Sequence, residues 1–182
     1  MKNPTLNFKY FTNVASSLLA SKMEDLISEY TATDLLQLIA NKEVSSFEIL
    51  QLCIKQYEKL NPSLNAIVET NFEDAIKCSY DIDRVSNKAS NKLPFLPLPV
   101  GVKDLNDVRG LKTTYGSLLF QDNLASSDDD VVAQLRTASA IIFGKTNVPE
   151  HGFGATTTNP LQGSTGNPFD SNLSAGASTG GG

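Results

Sequence analysis

The sequence predicts an α/β fold, and its pattern of apolar residues carries that prediction. Segments with apolar residues on one helical face alternate with short apolar runs that have the composition of buried strands. The clearest case is a helical segment that shortly precedes the run from Ala140 to Phe143. Helices and strands that follow one another so closely are typical of helices layered on a sheet.

The composition is that of a globular protein with its own core. The 182 residues suit one domain, 40% of them are hydrophobic, and 19% are charged. The net charge is −5, so the chain has no basic field that would attract nucleic acid or an anionic membrane. We therefore expect neither of these as a direct partner.

The first 30 residues indicate a location and one candidate contact. Val14 to Leu19 is too short and too mixed for a transmembrane helix, and no signal-peptide cleavage site follows, so the cytoplasm is the default expectation. Loose helical spacing is shared by five apolar residues: Leu18, Leu19, Met23, Leu26 and Ile27. This pattern predicts a surface helix of the same domain, and the alternatives are a homodimer contact or an extra packing layer.

Two helices are predicted between residues 31 and 60. The first covers Asp34 to Ala40. The second begins at a capping box, in which Ser45 and Glu48 each satisfy a free N–H of the first turn. Val44 and Ile49 stand at the hydrophobic-staple positions beside that box.

The next elements follow from turn residues and apolar spacing. The second helix should end at Asn61-Pro62, because the residue before proline avoids helical geometry. A short strand is expected over Leu64 to Val68, and Asn71 should begin a third helix. The predicted buried face of that helix is Phe72, Ala75, Cys78, Ile82 and Val85. The polar stretch from Ser86 to Lys92 reads as a loop.

The middle of the chain predicts a strand, a loop and a helix. The strand runs from about Val100 to Lys103, and Gly110 to Ser117 is the loop. Asp128 to Asp130 could be read as a metal site, but acidic residues are favoured at a helix N-terminus. The apolar face of that helix should then be Val131, Val132, Leu135 and Ala138.

Cysteine and histidine usage excludes several kinds of site. Cys53 and Cys78 have no metal or redox spacing and occupy apolar helical positions. The single histidine, His151, can build neither a metal site nor a Ser-His-Asp triad by itself. A hydrolase made from these residues needs another base, and we expect no metal or organic cofactor.

The stretch from Ile141 to Gly182 is rich in Gly, Ser, Thr and Asn. Such composition is common in flexible linkers. Two turn-forming pairs, Asn159-Pro160 and Asn167-Pro168, favour an ordered segment instead. Three residues read as apolar anchors: Phe153, Leu161 and Phe169. Glycines around Ser178 would let the backbone approach a ligand closely.

Four blocks in this chain resemble the amidase signature family. They are Leu98 to Asp104, Gly144 to Glu150 (Gly-Lys-Thr-Asn-x-Pro-Glu), Thr165 to Pro168 (Thr-x-Asn-Pro), and Gly176 to Gly181, where the family has Gly-Gly-Ser-Ser-Gly-Gly. In the last block Ala177 and Thr179 are small-for-small replacements. Four blocks in this order and spacing are specific, and the resemblance covers roughly residues 31–182.

The resemblance implies a site built on Lys103 and Ser178. In the family a Ser-cisSer-Lys mechanism operates: Lys103 matches the catalytic lysine, and Ser178 matches the serine that relays a proton to it. An amine in that role must accept a proton, which burial favours. Phe153 and Gly154 match positions that line the substrate pocket, and Thr179 would support the site by hydrogen bonding.

Two further positions carry structural expectations. Asp104 should be a turn residue rather than an ion-pair partner of Lys103, because neighbours along an extended chain point in opposite directions. Ser139 stands where the family has a glycine helix C-cap, so it should adopt left-handed geometry.

The resemblance also implies a fold and three functional hypotheses. It predicts the N-terminal part of the amidase-signature fold, a mixed β-sheet core between α-helices, with residues 1–60 as a helical layer and 61–182 as the start of the α/β core. Because the family's nucleophilic serine lies beyond the match to Ser178, the expected nucleophile lies past Gly182. The hypotheses are an amidase acting on a small-molecule amide, a non-catalytic truncated product, and the glutamine-hydrolysing component of a tRNA-dependent amidotransferase.

Overall fold

The computed structural model describes residues 26–88 and 96–176, and it has the predicted α/β architecture. Its helices are α1 (Leu26–Glu29), α2 (Ala32–Ala40), α3 (Ser46–Leu64), α4 (Phe72–Lys88) and α5 (Asp130–Thr137). Its strands are β1 (Ile67–Thr70), β2 (Pro99–Lys103), β3 (Ile141–Thr146), β4 (Thr158–Asn159) and β5 (Gly163–Ser164). Two short 3-10 turns cover Leu118–Phe120 and Glu150–Gly152.

The main sheet is mixed, as expected. Strand β3 lies in the middle, with β1 antiparallel on one side and β2 parallel on the other. The pairing of β2 with β3 has a bulge: Val100 pairs with Ile142, but the next residue, Gly101, pairs with Gly144. A bulge changes which face the following side chains occupy. Strands β4 and β5 form a separate antiparallel pair.

A close approach of two strands explains one glycine of the sheet. A Cβ atom at Gly144 would lie 2.6 Å from the main-chain oxygen of Glu69 on β1. That oxygen belongs to a strand paired with β3, so any side chain at this position would push the two strands apart.

Three apolar clusters hold the helices onto the sheet. One lies beneath α5 and contains Val102, Val108, Leu111, Val132, Ala140 and Ile142. A second joins α2 to the start of α3 and contains Leu35, Ile39, Val44, Ile49 and Leu98. A third joins α3, α4 and β3 and contains Leu50, Ala75, Ile82 and Ile141. The sheet therefore has packed helices on both faces.

The helix starts follow the capping chemistry that the sequence predicts. Ser45 caps α3 as half of a complete capping box with Glu48, which confirms that prediction. Val44 and Ile49 are buried in the same cluster, as staple positions require. A second capping box, Thr31 with Asp34, begins α2 and went unpredicted. Its sequence, Thr-x-x-Asp, differs from the usual pattern only in the shorter acid.

The predicted end of α3 is wrong by one turn. The helix continues through Pro62 to Leu64 and ends at Asn65, which has left-handed geometry. The carbonyl that Pro62 leaves without a donor belongs to Glu58, an exposed residue, so water can serve it. The Asn61 side chain accepts hydrogen bonds from Ala66 N (2.9 Å) and Ile67 N (2.8 Å). The strand predicted over Leu64 to Val68 consequently begins later, at Ile67.

Several other expectations about helices are corrected. Val85 and Val131, predicted on buried faces, are 54% and 51% exposed. The loop predicted from Ser86 is helical as far as Lys88, because polar residues on the outer end of a helix give no apolar signal. Residues 89–92 of that predicted loop, and the N-terminal helix positions before Leu26, lie outside the described residues.

The prediction for Ser139 is confirmed. Its φ of 71° is left-handed, and it turns the chain from α5 into β3.

Across residues 26–88 and 96–176, every helix is too short or too polar to cross a membrane.

Candidate active site

The lysine that the sequence singles out ends strand β2. Lys103 is half-buried and pairs in register with Thr146 on the parallel strand β3. Its main-chain oxygen accepts a hydrogen bond from Asn106 N at 3.0 Å, which fixes the turn that follows. The carboxyl end of a strand in an α/β sheet is a usual place for a functional side chain.

Directly after Lys103 lies a buried polar network. The side chain of Asp104 is 2% exposed, and one carboxylate oxygen, Oδ1, lies 3.1 Å from Nζ of Lys145, whose side chain is fully buried. The other oxygen, Oδ2, accepts the hydroxyl hydrogen of Thr114, and the Thr114 N–H donates to the same carboxylate at 3.1 Å. Asp104 is therefore a structural residue, as expected, and its ion-pair partner is Lys145.

The Lys145 ammonium is saturated by protein groups. Besides the Asp104 carboxylate, it donates to Lys112 O and to Thr113 Oγ1, each at 3.0 Å. The three donors of an ammonium therefore have three acceptors, which a buried charge requires. No pattern in the sequence assigned a role to Lys145, although it lies in the Gly144–Glu150 block. The signal for it was a lysine within an otherwise apolar strand.

A third charged residue borders this network. Glu69 on β1 accepts a hydrogen bond from Lys112 N at 2.9 Å. Burial raises the pKa of Glu69, while the Lys112 hydrogen bond and the positive charge of Lys145 act in the opposite direction. The end of the sheet thus carries a chain of acidic and basic groups that reaches from β1 through β3 to β2.

The described part of the Gly- and Ser-rich segment is ordered rather than a flexible linker. Asn147, which follows β3, donates from Nδ2 to Thr165 Oγ1 at 2.9 Å, and Thr165 Oγ1 donates to Asn65 O at 2.7 Å. Asn159 donates from Nδ2 to Asn147 Oδ1 at 2.8 Å. The side chains of Asn147, Asn159 and Thr165 are buried, so residues spread over a hundred positions are tied together.

Ser178 and Thr179 lie outside the described residues, so their relation to Lys103 stays a prediction. The last described residue, Gly176, has a φ of 90° and accepts a hydrogen bond from Thr157 N at 2.9 Å. The chain is thus anchored two residues before Ser178.

Phe153 and Gly154 lie in an exposed loop after the 3-10 turn Glu150–Gly152. The Phe153 side chain is 83% exposed, and Gly154 has a φ of 136° that disfavours other residues. Phe153 and Phe169, which is 97% exposed, are therefore not apolar anchors within the described residues. The role of Phe153 and Gly154 in substrate binding remains a prediction.

An unpredicted aromatic group adjoins this loop. Tyr115, Phe120 and His151 have ring centroids 5.2 to 6.5 Å apart. His151 and Tyr115 both have left-handed backbone geometry, and His151 N donates to Tyr115 O at 2.7 Å. Burial and then the nearby carboxylates of Asp107 and Asp129 raise the pKa of Tyr115. No spacing rule brings residues 115 and 151 together, since only the fold joins their loops.

A polar groove of about 350 Å³ lies beside the ordered segment. Its lining is dominated by hydroxyl groups and has no charged side chain: Ser63, Thr156, Thr157, Thr158, Ser164, Thr165, Gly166, Ser171, Asn172, Leu173 and Ser174. Within the part of the chain that the structure describes, no group of three or more His, Cys, Asp or Glu residues could hold a metal ion. Asp128 instead accepts a hydrogen bond from Arg136 Nε at 2.9 Å.

Known proteins are similar to this chain in sequence and in fold. The sequence profile of the Amidase family matches residues 48–182. An acylamidase from Rhodococcus erythropolis is 36% identical over 149 residues, which are 82% of this chain and 31% of the acylamidase. A glutamyl-tRNA(Gln) amidotransferase subunit from Maridesulfovibrio salexigens is 33% identical over 84% of this chain and 31% of its own length.

Solved structures of amidases have a fold similar to that of this chain. A bacterial aryl acylamidase of the amidase signature family matches with a TM-score of 0.77 at 27% identity, over 84% of this chain and 32% of that one. The chain thus spans about a third of the length of these relatives.

Proposed function

Because this chain belongs to the amidase signature family, we propose that it supplies the lysine and relay-serine part of an amidase, which hydrolyses a carboxylic amide to an acid and ammonia or an amine. One observation carries the proposal. The lysine of the family motif lies half-buried at the carboxyl end of β2, beside the central strand β3. The ordered segment after β3 leads toward Ser178.

The proposed chemistry assigns one proton path to these residues. Ser178 receives the proton of a nucleophilic serine and passes it to the neutral amine of Lys103, while the serine oxygen attacks the amide carbonyl. The proton returns through Ser178 to the nitrogen of the leaving amine as the carbon–nitrogen bond breaks. Water then hydrolyses the acyl-enzyme to the acid. The nucleophile would come from a block beyond Gly182, and Phe153 and Gly154 would contact the substrate.

The relatives favour a second candidate with the same chemistry. The amidotransferase component is 33% identical and the acylamidase 36%, so identity does not separate them. The second candidate is therefore an amidotransferase component that hydrolyses glutamine and passes the ammonia on. The third hypothesis, a non-catalytic product, shares the fold but would release neither ammonia nor amine.

The test is hydrolysis by the product expressed from the intact gene, compared with the 182-residue chain. Substrates are an anilide, a fatty-acid amide and glutamine, and the measurement is released amine or ammonia. We expect turnover only from a product that carries the further serine block. Turnover of glutamine alone would support the amidotransferase component, and a folded product inactive on all three would support the non-catalytic alternative.

Variants then assign the roles. Lys103→Ala should lower kcat at least about 100-fold, since a general base contributes that much or more. Lys59→Ala, on the exposed side of α3, is the matched control and should retain parent turnover. Ser178→Ala should lose activity similarly without unfolding, whereas Ser171→Ala, at an exposed serine, should not. Parent turnover in Lys103→Ala would refute the proposed mechanism.

A further inference from the structure

Lys145 and Asp104 form a buried ion pair. Asp104 directly follows Lys103 in the sequence, but Lys145 lies on the opposite face of the sheet from Lys103. Val102 pairs in register with Lys145, and Lys103 pairs with Thr146, so the two lysines lie on opposite faces of the sheet. The bulge between Ile142 and Gly144 produces this arrangement, because it shifts the face of every later residue of β3 by one position.

Asp104 connects the two faces. Its N–H donates to Thr146 O at 3.0 Å, and its own main-chain oxygen accepts a hydrogen bond from Tyr115 N at 3.2 Å. Its carboxylate is held by Lys145 on one oxygen and by Thr114 on the other. The residue after Lys103 is therefore fixed through its backbone and its side chain at once.

Stability alone does not account for such a pair. Taking two charges out of water is costly for each of them, and apolar replacements of buried ion pairs are often neutral or stabilising. A reason to keep the pair is geometric: an ammonium group whose other two donors are already bonded can donate to a carboxylate in few positions. Here the carboxylate belongs to the residue that sets the direction of the Lys103 backbone.

We propose that Lys145 is a positioning residue, which holds Asp104 on the face of the sheet that carries Val102 and thereby fixes the direction of the Lys103 side chain on the opposite face. The catalytic part of this inference rests on the proposed function. The geometric part does not, because it concerns where the Lys103 side chain lies. The two parts can therefore be tested separately.

The decisive variant is the pair Lys145→Met with Asp104→Asn. It removes one positive and one negative charge, so the net charge near Lys103 is unchanged, and Thr114→Val, which leaves both charges in place, tests whether a change at Lys103 reports displacement. Methionine keeps the buried stem of Lys145. The asparagine oxygen can still accept from Thr114.

The measurement is the NMR signal of the Lys103 side-chain methylene next to the amine, in protein labelled with carbon-13 lysine. Lys103→Arg assigns the signal, and exposed Lys59 is the internal control. We expect the Lys103 signal to shift while the Lys59 signal and cooperative unfolding are retained. An unchanged Lys103 signal in the folded double variant would overturn the proposal.

A milder variant decides the matter if the double variant does not fold. Thr114→Val keeps both charges and the shape of the side chain but removes the hydroxyl that donates to Asp104 Oδ2. The Lys103 signal should shift here too, and its constancy would refute the positioning role. Thr137→Val, which loses an exposed hydroxyl bonded to Ala133 O, is the matched control and should leave the signal in place.

Kinetics separate this inference from the proposed function. In active protein, the double variant should lower kcat at least about tenfold with little change in KM, because a misplacement of about 1 Å can cost up to 100-fold. Parent kcat together with a shifted Lys103 signal would contradict the catalytic consequence. If Lys103→Ala retains turnover while the signal shifts, the proposed function fails and the geometric inference stands.

Discussion

Two lysines lie one register position apart on neighbouring parallel strands, and their surroundings differ completely. Lys145 is fully buried and its ammonium has three protein acceptors, whereas Lys103 is half-buried at the carboxyl end of β2. The difference shows how one sheet can use the same side chain in two ways. A saturated, buried lysine serves structure, and a lysine at a strand end lies where functional side chains commonly occur.

The sharpest test of this contrast is stability after removal of each charge. Lys145→Met should lower the free energy of unfolding by about 3–5 kcal/mol, because it leaves the Asp104 carboxylate buried without its partner. Lys103→Met should lower it by less, because it leaves the pair of Lys145 with Asp104 intact. Urea unfolding at pH 7 measures both. Equal losses would mean that the two lysines do not differ in structural role.

The glycines beside the two lysines allow a second comparison. A Cβ at Gly144 would meet the Glu69 main-chain oxygen at 2.6 Å, whereas a Cβ at Gly101 would meet the Thr146 methyl group at 2.9 Å. A side chain can yield more readily than a paired strand. Gly144→Ala should therefore cost about 1–3 kcal/mol and Gly101→Ala less. Thermal unfolding of both variants measures which one loses more stability. A larger loss in Gly101→Ala than in Gly144→Ala would contradict the prediction.

Replacement of Ser139, the residue that leads into β3, should raise the free energy of unfolding by a smaller amount. Ser139 has a φ of 71°, and replacement by glycine should relieve about 1 kcal/mol of left-handed strain. Glycine also has more freedom in the unfolded chain, so the net gain in unfolding free energy should be about 0.5 kcal/mol. Ser139→Ala is the control, since alanine keeps the strain. A gain as large in Ser139→Ala would assign the effect to the lost hydroxyl instead.

The smallest effect concerns Glu69, the acid beside the Lys145 network. Burial raises its pKa above the ordinary value, so the folded protein binds this proton at a higher pH than the unfolded chain does. Stability from this group is therefore gained as the pH falls through the raised pKa. Between pH 7 and pH 4, unfolding free energy should rise in the parent relative to Glu69→Gln, whose side chain can still accept from Lys112 N. If the difference in unfolding free energy between the parent and Glu69→Gln does not change with pH, the raised pKa of Glu69 is contradicted.

The sequence was informative where local chemistry acts over a few residues. The capping box at Ser45 and Glu48 and the strand ending at Lys103 depend on nearby residues, and the left-handed Ser139 followed from the family's glycine at that position. The structure confirms all three. An error occurs where the proline rule competes with a nearby side-chain hydrogen bond. Pro62 does not end α3, because Asn61 and Asn65 complete the turn beyond it.

The residues of the candidate site also divide into those that the sequence indicated and those that only the fold brought together. Sequence blocks alone identified the family, and the role of Lys103 that they imply stays a prediction. They gave no role to Lys145, and they could not join Tyr115 to His151, whose contact links loops separated by a strand and a helix. Ser178 was identified by its block alone and still depends on the proposed experiments.

The sequence by itself therefore determined the fold class, the family and the strand that carries the proposed base. Tertiary structure alone decided which acid pairs with which lysine and on which face each lysine lies. The physical reason is the bulge in β3: one extra residue opposite β2 turns Lys145 toward the face of Val102, where Asp104, Thr113 and Lys112 supply its acceptors.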